Sequence, residues 1–351
     1  MQNKTGDLWF SKALQQWYEV HKRELPWRET RDPYRIWISE IILQQTRVEQ
    51  GLPYYKRFID AFQDVHALAN AYEDEVLTYW QGLGYYSRAR NLHATAKMIS
   101  GELKGRFPET YEELLKLKGV GPYTASAIAS FCFGLPYAVL DGNVFRVLSR
   151  VFEVDDPINT STGQRYFTAL ANSLLDHHNP DLHNQAIMEF GALQCTPKSP
   201  NCTVCAIRER CAAFVKRRVD QLPVKEKKVK VKKRALHYFS VEDAQSKHLI
   251  IKRPNTGLWS GLYEFPSIEL ELGATMSETV VNDLFGAVTH WELINLDPLI
   301  HKLSHQELHV YVYRVQQDCL HSKGVERGAI QDYPLSALMQ KLLKRVNFYY
   351  L

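Results

Sequence analysis

The cysteines constrain the fold more than any other feature of this chain. Two of the six stand alone, Cys132 and Cys319, and four fall within 17 residues with the spacing C-x6-C-x2-C-x5-C: Cys195, Cys202, Cys205 and Cys211. Because the chain shows no export signal, a disulfide framework is not expected, and four clustered thiols indicate a metal site. Structural zinc sites usually use two C-x2-C pairs, whereas this loop has one tight pair and two separated ligands. The spacing favours an iron-sulfur cluster and leaves zinc as the alternative.

Length and composition predict a globular protein of two domains. A chain of 351 residues exceeds the roughly 100 to 200 residues of a typical domain, and 45% hydrophobic with 23% charged residues excludes wholesale disorder. No apolar run approaches the roughly 20 residues that span a bilayer, and residues 1–8 have no signal-peptide pattern. We therefore expect a cytoplasmic monomer, nucleoid-associated if the chain is bacterial.

The positive charge is concentrated in one segment. The formal net charge of +4 divides into −1 over residues 1–215, +8 over 216–234 and −3 over 235–351. The middle segment, KRRVDQLPVKEKKVKVKKR, predicts a basic linker that self-repulsion keeps extended and solvated between two nearly neutral domains. Charge alone fits two roles equally well: contact with a polyanion, or a solubilising tether.

A helix is predicted to begin at Asp32-Pro33, an N-cap followed by proline, and to run through Leu52. One stripe of this helix carries Glu40 together with Trp37, Gln44 and Arg47. A carboxylate in apolar company is either paired or functional, since desolvation raises its pKa. A surface glutamate on the polar face is the alternative.

Residues 117–125, LKGVGPYTA, predict a tight hairpin between two helices. Gly119 and Gly121 flank Val120, and such a turn can expose successive backbone amides at the next helix N-terminus, a geometry that binds phosphate. An ordinary turn between helices is the alternative.

Asp141 follows an apolar run and precedes a helix predicted from Val144 to Phe152. Aspartate caps helices well, so N-capping is one explanation. The other is a second active-site carboxylate facing Glu40. Sequence spacing leaves both open.

Together these residues resemble the endonuclease III superfamily of helix-hairpin-helix DNA glycosylases, and within it the A/G-mismatch-specific adenine DNA glycosylases of the MutY type. The similarity covers nearly the whole chain and includes the cysteine loop. Its other segments are LPWRETRDPYRIWISEIILQQTRVEQ, WQGLGYYSRARNLHATA, LKGVGPYTASAIAS, VLDGNVFRVLSR, NQAIMEFGALQC and GLWSGLYEFP. The family implies an all-α helix-hairpin-helix domain of two lobes that binds double-stranded DNA. It also implies a 4Fe-4S cluster on Cys195, Cys202, Cys205 and Cys211.

The resemblance also implies the reaction. Bifunctional relatives carry a lysine nucleophile two residues after the second hairpin glycine, where this chain has Tyr123, and tyrosine cannot form a Schiff base. They also lack an acid at the position of Glu40. The pattern therefore implies a monofunctional glycosylase that flips and excises adenine mispaired with 8-oxoguanine or guanine in base excision repair.

Residue roles follow from the same resemblance. Glu40 would protonate the flipped adenine, and a raised pKa suits that task. Asp141 would stabilise the oxocarbenium-like sugar electrostatically or by transient covalent attachment, while Tyr123 and Asn143 orient Asp141 and water. The adenine pocket is expected to comprise Trp27, Arg28, Leu43, Val48 and Glu189. Gln45 and Tyr85 are expected to form a wedge, meaning that they insert into the duplex beside the base opposite the flipped adenine. Gly119, Val120 and Gly121 are expected to contact a DNA phosphate.

From about Ala235 the pattern changes to short alternating runs. Strands are predicted at 237–241, 249–252 and 309–315, with helices at 277–285 and 335–345. This α+β unit, residues 235–351, resembles the Nudix-like C-terminal domain of the same family. No REx2EE-type helix follows Gly261, so recognition rather than hydrolysis of nucleotide diphosphates is expected. Ser304 and His305 match the loop that reads 8-oxoguanine in this family, where phenylalanine is commoner than Leu303.

Two other functions remain open at this point. Some thymine mismatch glycosylases share the hairpin tyrosine, although they generally lack the C-terminal domain. A catalytically silent DNA-binding scaffold with a structural zinc site is the second alternative.

Overall fold

The computed structural model describes residues 9–226, 231–286, 288–320 and 323–346. The chain forms two compact units. One comprises residues 1–70 and 91–227, and the other comprises residues 71–90 and 228–351. Residues 71–90 thus belong with the C-terminal part of the chain, a grouping that the boundaries predicted at 215 and 235 do not contain.

Helices make up most of the first unit. Its helices among the described residues are α1 (Trp9–His21), α2 (Pro33–Leu43), α3 (Val48–Ala61), α4 (Val65–Asn70), most of α6 (Ser87–Gly101), α7 (Tyr111–Leu114), α8 (Pro122–Phe133), α9 (Gly142–Phe152), α10 (Ser161–Leu174), α11 (Pro180–Leu193) and α12 (Ala212–Val215). The second unit contains α5 (Glu73–Tyr79), α13 (Glu278–Phe285) and α14 (Ala337–Arg345). Helices α1, α8, α9, α10 and α11 contribute to one buried apolar cluster. The predicted all-α architecture of this part of the chain is confirmed. No helix among the described residues is long and apolar enough to cross a membrane.

The helix predicted from Asp32 begins as expected but ends early. The Asp32 carboxylate accepts a hydrogen bond from the Tyr34 amide at 3.0 Å, and Pro33 occupies the first helical position. Helix α2 stops at Leu43, and Gln45 adopts a positive φ of 58°. The prediction of one helix to Leu52 was therefore wrong, because the chain turns over residues 44–47 and α3 begins at Val48.

The second unit is built around a mixed sheet. Its strands are β1 (Lys232–Asp243), β2 (Lys247–Leu249), β5 (Ser267–Leu270), β6 (His290–Leu293), β7 (Leu299–Lys302), β8 (Gln306–Gln317) and β9 (Gly324–Glu326), while β3 (Ile251–Lys252) and β4 (Tyr263–Glu264) form a separate pair. Strands β1 and β8 run parallel in the centre, from Lys232 opposite Gln306 to Asp243 opposite Gln317. The other pairs of neighbouring strands are antiparallel.

Helices cover both faces of this sheet. Leu308, Val310 and Val312 of β8 pack in one apolar cluster with the buried face of α14. The alternate side chains, among them Phe239 of β1 and Val315 of β8, pack with residues of α13. The predicted α+β unit is confirmed, except that the strand expected at 249–252 is interrupted at Ile250.

Part of the predicted linker is packed rather than solvated. Arg218 forms ion pairs with Glu153 at 3.0 Å and Asp155 at 2.6 Å, so acidic groups offset the self-repulsion expected there. Leu222 is only 2% exposed. At the other end β1 already begins at Lys232. Residues 227–230 of the linker lie outside the described residues.

Candidate active site and DNA contacts

Glu40 is a buried carboxyl group on α2. The residue is 6% exposed, which excludes the surface alternative. Burial raises the pKa of Glu40 to about 7; a hydrogen bond from Tyr123 lowers it, the charge of Asp141 raises it and Arg28 lowers it. A carboxyl group with this pKa is partly protonated at neutral pH and can donate a proton.

Asp141 caps a helix and also lies near Glu40. It is the N-cap of α9, where its Oδ1 accepts from the amides of Asn143 at 2.9 Å and Val144 at 2.8 Å. Its Oδ2 accepts from the Asn143 side-chain amide at 2.8 Å. Burial raises the pKa of Asp141, while these three hydrogen bonds favour its ionised form. Since its charge also raises the pKa of Glu40, the two carboxyl groups lie within electrostatic reach.

Tyr123 connects the hairpin to this pair of acids. It lies in the first turn of α8, and its hydroxyl donates to Glu40 and approaches the Met188 sulfur at 3.9 Å. Burial and the two nearby carboxylates hold the pKa of Tyr123 well above its ordinary value. The phenol therefore stays protonated and orients Glu40.

The predicted adenine pocket contains a buried ion-pair cluster. Glu189 is 1% exposed, and its carboxylate accepts from Arg28 at 3.0 and 2.8 Å and from the Arg23 side chain at 2.9 and 2.7 Å. Burial alone would raise the pKa of Glu189, but the bonds from Arg23 and Arg28 outweigh it and hold the pKa at about 2. Arg23 is not among the predicted pocket residues, because it lies two residues before the LPWR motif and no sequence motif includes it.

The remaining pocket residues border this cluster or the turn after α2. Trp27 occupies the same 3-10 turn as Arg28, is 9% exposed, and its ring packs edge-on against Tyr55 at 5.0 Å. Leu43 ends α2 and Val48 begins α3, and both are half-buried. A Cβ on Gly51 would lie 2.8 Å from the Leu43 Cδ2 atom, so the glycine lets α3 pack closely against Leu43.

Two buried arginines of α9 contact the cysteine loop, and one of them also bonds Asn143, the partner of Asp141. Arg146 donates to the Asn143 side-chain oxygen at 2.8 Å, to the Gly191 carbonyl at 2.6 Å and to the Cys195 carbonyl at 2.7 Å. Arg150, which is 2% exposed, lies 3.4 Å from the Cys195 sulfur and donates to the Thr196 carbonyl at 2.8 Å. Asn143, Arg146 and Arg150 share one side of the helix, a spacing that could have drawn attention to both arginines.

The four clustered cysteines are free thiols in one loop. Cys202 begins a 3-10 turn that Cys205 follows, and Cys211 is the N-cap of α12. Burial raises the pKa of the Cys205 thiol to about 11, and the charges of the other three thiols add to this, so they lie within electrostatic reach of Cys205. Within the described ranges, no three His, Cys, Asp or Glu side chains are arranged to hold a metal ion. A cluster binds one thiolate per iron, so its ligands surround a volume rather than a single point.

The hairpin between α7 and α8 requires its first glycine. Gly119 has a φ of 82°, and a Cβ there would lie 2.8 Å from the Asn91 Cβ. Val120 is buried, and its amide donates to the Leu117 carbonyl at 3.1 Å, so this amide is engaged within the turn. Gly119 and the N-cap Gly121 are exposed, so the amides at these two positions are accessible to an anion.

Two predicted wedge residues lie at strained turns. Gln45 and Tyr85 are exposed and have φ of 58° and 45°, in the left-handed region that non-glycine residues adopt only in a few per cent of cases. In the second unit the Tyr85 hydroxyl lies 2.9 Å from the Ser304 hydroxyl, so Tyr85 contacts the predicted lesion loop. His305 is exposed, and its carbonyl accepts from the Lys232 amide at 3.1 Å.

Known proteins share this fold. Residues 38–170 match the HhH-GPD superfamily base excision DNA repair proteins, and residues 237–345 match the NUDIX domain. The chain is similar to a solved thermostable thymine-DNA glycosylase, with 28% identity and a TM-score of 0.55 over 59% of this chain and 95% of that one. It also shares its fold with endonuclease III in a non-covalent DNA complex, with 22% identity and a TM-score of 0.52 over 62% of this chain and 99% of that one. The fold of the helical unit is thus that of a helix-hairpin-helix base excision DNA repair protein.

Curated relatives resolve the family further. The adenine DNA glycosylase of Buchnera aphidicola subsp. Baizongia pistaciae is 34% identical over 307 residues, which cover 86% of this chain and 84% of the relative. The human adenine DNA glycosylase is 34% identical over 364 residues, covering 87% and 66%. This chain belongs to the adenine DNA glycosylase family. The family expected from the sequence motifs is confirmed, and so is its enzyme class, a DNA glycosylase of base excision repair.

Proposed function

We propose that this chain excises adenine from A:8-oxoguanine and A:G mispairs in double-stranded DNA and leaves the sugar-phosphate strand intact. The observation that carries the proposal is the buried Glu40, with a pKa of about 7, beside the capped carboxylate of Asp141. Two carboxyl groups in different environments are the arrangement that hydrolysis of a glycosidic bond requires.

The chemistry divides between the two acids. Glu40 gives its proton to an imidazole-side nitrogen of the flipped adenine, which makes the base a better leaving group. As the bond between the base and the sugar breaks, its electron pair goes to the base and positive charge develops on the sugar. Asp141 stabilises that charge, and water then supplies the hydroxyl group while its proton passes to the Glu40 carboxylate. Tyr123 and Asn143 hold the two carboxyl groups through the bonds described above.

Strand cleavage through an amine is not expected. Tyr123 occupies the position of the lysine nucleophile of bifunctional relatives, and its hydroxyl is committed to Glu40. An abasic site is therefore the expected product.

Adenine binding is proposed to use the pocket beside Glu40. The Arg28 side chain touches the pocket at Glu189 and also contributes to the field at Glu40. The Glu189 carboxylate already accepts five hydrogen bonds, so its role in the pocket would be to hold the Arg28 guanidinium in place beside the base. Trp27, Leu43 and Val48 would enclose the ring, since apolar walls suit a flipped base.

The opposite base is proposed to be read by other residues. Gln45 and Tyr85 would fill the duplex, and Ser304 and His305 would supply the hydrogen bonds that distinguish 8-oxoguanine from guanine. The exposure of all four side chains and the Tyr85–Ser304 contact support this assignment. Lys232 and the rest of the basic linker would add contacts to phosphate, since the Lys232 amide bonds to His305.

The cysteine loop is proposed to hold a 4Fe-4S cluster on Cys195, Cys202, Cys205 and Cys211. Four free, mutually close thiols on a loop without a second C-x2-C pair fit that group. When bound, the cluster would supply structural rigidity to the loop. One chain carries every residue of the proposed site, which supports action as a monomer.

Replacing Glu40 with glutamine tests the proposal. Glu40→Gln keeps the shape of the side chain but removes its acidic proton, so adenine release should fall by at least about a thousandfold while mismatch binding is retained. The matched control is Glu19→Gln, at an exposed position of α1. Undiminished adenine release by Glu40→Gln would refute the assignment of the acid. Thymine release in place of adenine release would support the thymine mismatch alternative, and a protein that binds but never excises would support the scaffold.

A further inference from the structure

Side-chain hydrogen bonds to the backbone of Leu335 connect residues 71–90 to the C-terminal part of the chain. Tyr86 is 4% exposed, and its hydroxyl donates to the Leu335 carbonyl at 2.9 Å. The Leu335 amide in turn donates to the Gln81 side-chain oxygen at 3.3 Å. One residue shortly before α14 thus holds two residues of the GLGYY region, about 250 positions earlier in the chain.

Residues near both ends of the same segment also bond to the C-terminal part of the chain. Asp74 of α5 pairs with Lys252 of β3 at 2.6 Å and accepts from the Tyr263 hydroxyl at 3.3 Å. At the other end the Arg90 guanidinium donates to the Ser260 carbonyl at 2.5 Å. The ion pair is partly exposed and contributes little by itself, so the buried bond of Tyr86 is the stronger constraint.

Tyr85 lies between these anchors. It immediately precedes Tyr86, has a positive φ, and places its hydroxyl 2.9 Å from that of Ser304. The Arg88 guanidinium lies over the rings of both Trp80 and Tyr85, at 5.2 and 5.7 Å from their centroids. Tyr86 is fixed through a backbone carbonyl, so its hydrogen bond constrains the backbone at the adjacent Tyr85.

We propose that residues 71–90 are a structural part of the lesion-reading unit, and that Tyr86 is a positioning residue that sets Tyr85 against Ser304. The inference rests on the proposed function, since it concerns how the base opposite adenine is recognised. It assigns lesion selectivity to a buried hydroxyl that does not itself reach the surface. Residues 71–90, which carry Tyr85, and the loop that carries Ser304 and His305 would then move together as one rigid element.

The test is the selectivity of DNA binding by Tyr86→Phe. Dissociation constants for A:8-oxoguanine and A:G duplexes are measured in a Glu40→Gln background, so that the adenine is not removed. Tyr86→Phe removes the bond to the Leu335 carbonyl and the long 3.5 Å contact from the Gly82 amide, and this loss should lower the ratio of the two constants about fivefold. Tyr72→Phe, which removes an exposed hydroxyl from the same segment, should leave the ratio unchanged.

A double-mutant comparison separates positioning from general destabilisation. In a Ser304→Ala background Tyr86→Phe should cause little further loss of selectivity, whereas in a His305→Ala background it should keep its effect. If Tyr86→Phe does not fold, Arg90→Met replaces it, since this variant removes the hydrogen bond to the Ser260 carbonyl. An unchanged ratio, equal weakening of both duplexes, or full additivity with Ser304→Ala would overturn the inference. If the parent protein has no preference for 8-oxoguanine, the lesion-reading role proposed for Ser304 and His305 fails; if it releases no adenine at all, the proposed function itself fails.

Discussion

The pH dependence of adenine release follows directly from the environment of Glu40. Its carboxyl group must carry a proton to act as the acid, and burial raises its pKa from the ordinary 4.5 to about 7. Raising the pH through that value removes the proton and should remove the activity. Asp141 must be ionised, and burial raises its pKa as well, so activity should also decline on the acid side. A bell-shaped profile is expected.

The size of the alkaline decline follows from the pKa. For a pKa of about 7, about nine-tenths of Glu40 is protonated at pH 6 and about one-hundredth at pH 9, so kcat/KM should fall about 90-fold. A glutamate with the ordinary pKa of 4.5 would instead be about 3% protonated at pH 6, and kcat/KM would fall about a thousandfold with no change of slope. The two cases differ in both slope and curvature.

The assay measures initial rates of adenine release at DNA concentrations below KM, because kcat/KM reports the ionisations of the free enzyme. Tyr123→Phe adds a second arm: the hydrogen bond from Tyr123 lowers the pKa of Glu40, so its loss should move the alkaline break to higher pH. A straight decline from pH 5 upwards, or a rate that stays constant to pH 9, would refute the role of Glu40. A break that does not move in Tyr123→Phe would refute the contribution of that hydrogen bond.

Three further predictions concern packing, the cysteine loop and the linker. Gly191→Ala would place a Cβ 2.6 Å from that of Asn143 and should slow excision about tenfold by displacing Asn143 from its hydrogen bond to Asp141. Gly101→Ala, with open space around it, should not slow excision, and single-turnover rates measure the difference. Cys202→Ser should lower iron content below about four atoms per chain and weaken visible absorption, while the exposed Cys319→Ser should change neither, as measured by metal analysis and spectroscopy. If the linker contacts DNA, neutralising its lysines should reduce the slope of log affinity against log salt by about 0.9 for each phosphate contact that is lost. An unchanged slope would indicate a tether. The lysines are Lys225, Lys227, Lys228, Lys230, Lys232 and Lys233.

Local patterns predict much of the fold and both candidate acids. Asp32-Pro33 marks the start of α2 because capping depends on neighbouring residues, and the apolar company of Glu40 is consistent with its burial. The end of α2 is not predicted, since the positive φ of Gln45 leaves no mark on helical periodicity. The sequence pattern leaves capping and catalysis at Asp141 as alternatives, yet one carboxylate can do both.

Contacts between distant residues cannot be predicted from the sequence. Nothing in the spacing indicates that Arg23 meets Glu189, 166 positions later, or that Tyr85 meets Ser304, 219 positions later. The grouping of residues 71–90 with the C-terminal unit depends on such contacts, because the segment is helical like its neighbours in the chain. The charge of the linker likewise does not show that Glu153 and Asp155 neutralise part of it.

The most direct test of the proposed function is a glycosylase assay on matched duplexes. Each duplex contains one central pair, A:8-oxoguanine, A:G, A:T or T:G, and each product is analysed with and without alkali. We expect release of adenine from the first two duplexes, faster opposite 8-oxoguanine, with strand breakage only after alkali. Release of thymine from T:G, or strand cleavage without alkali, would contradict the proposed function.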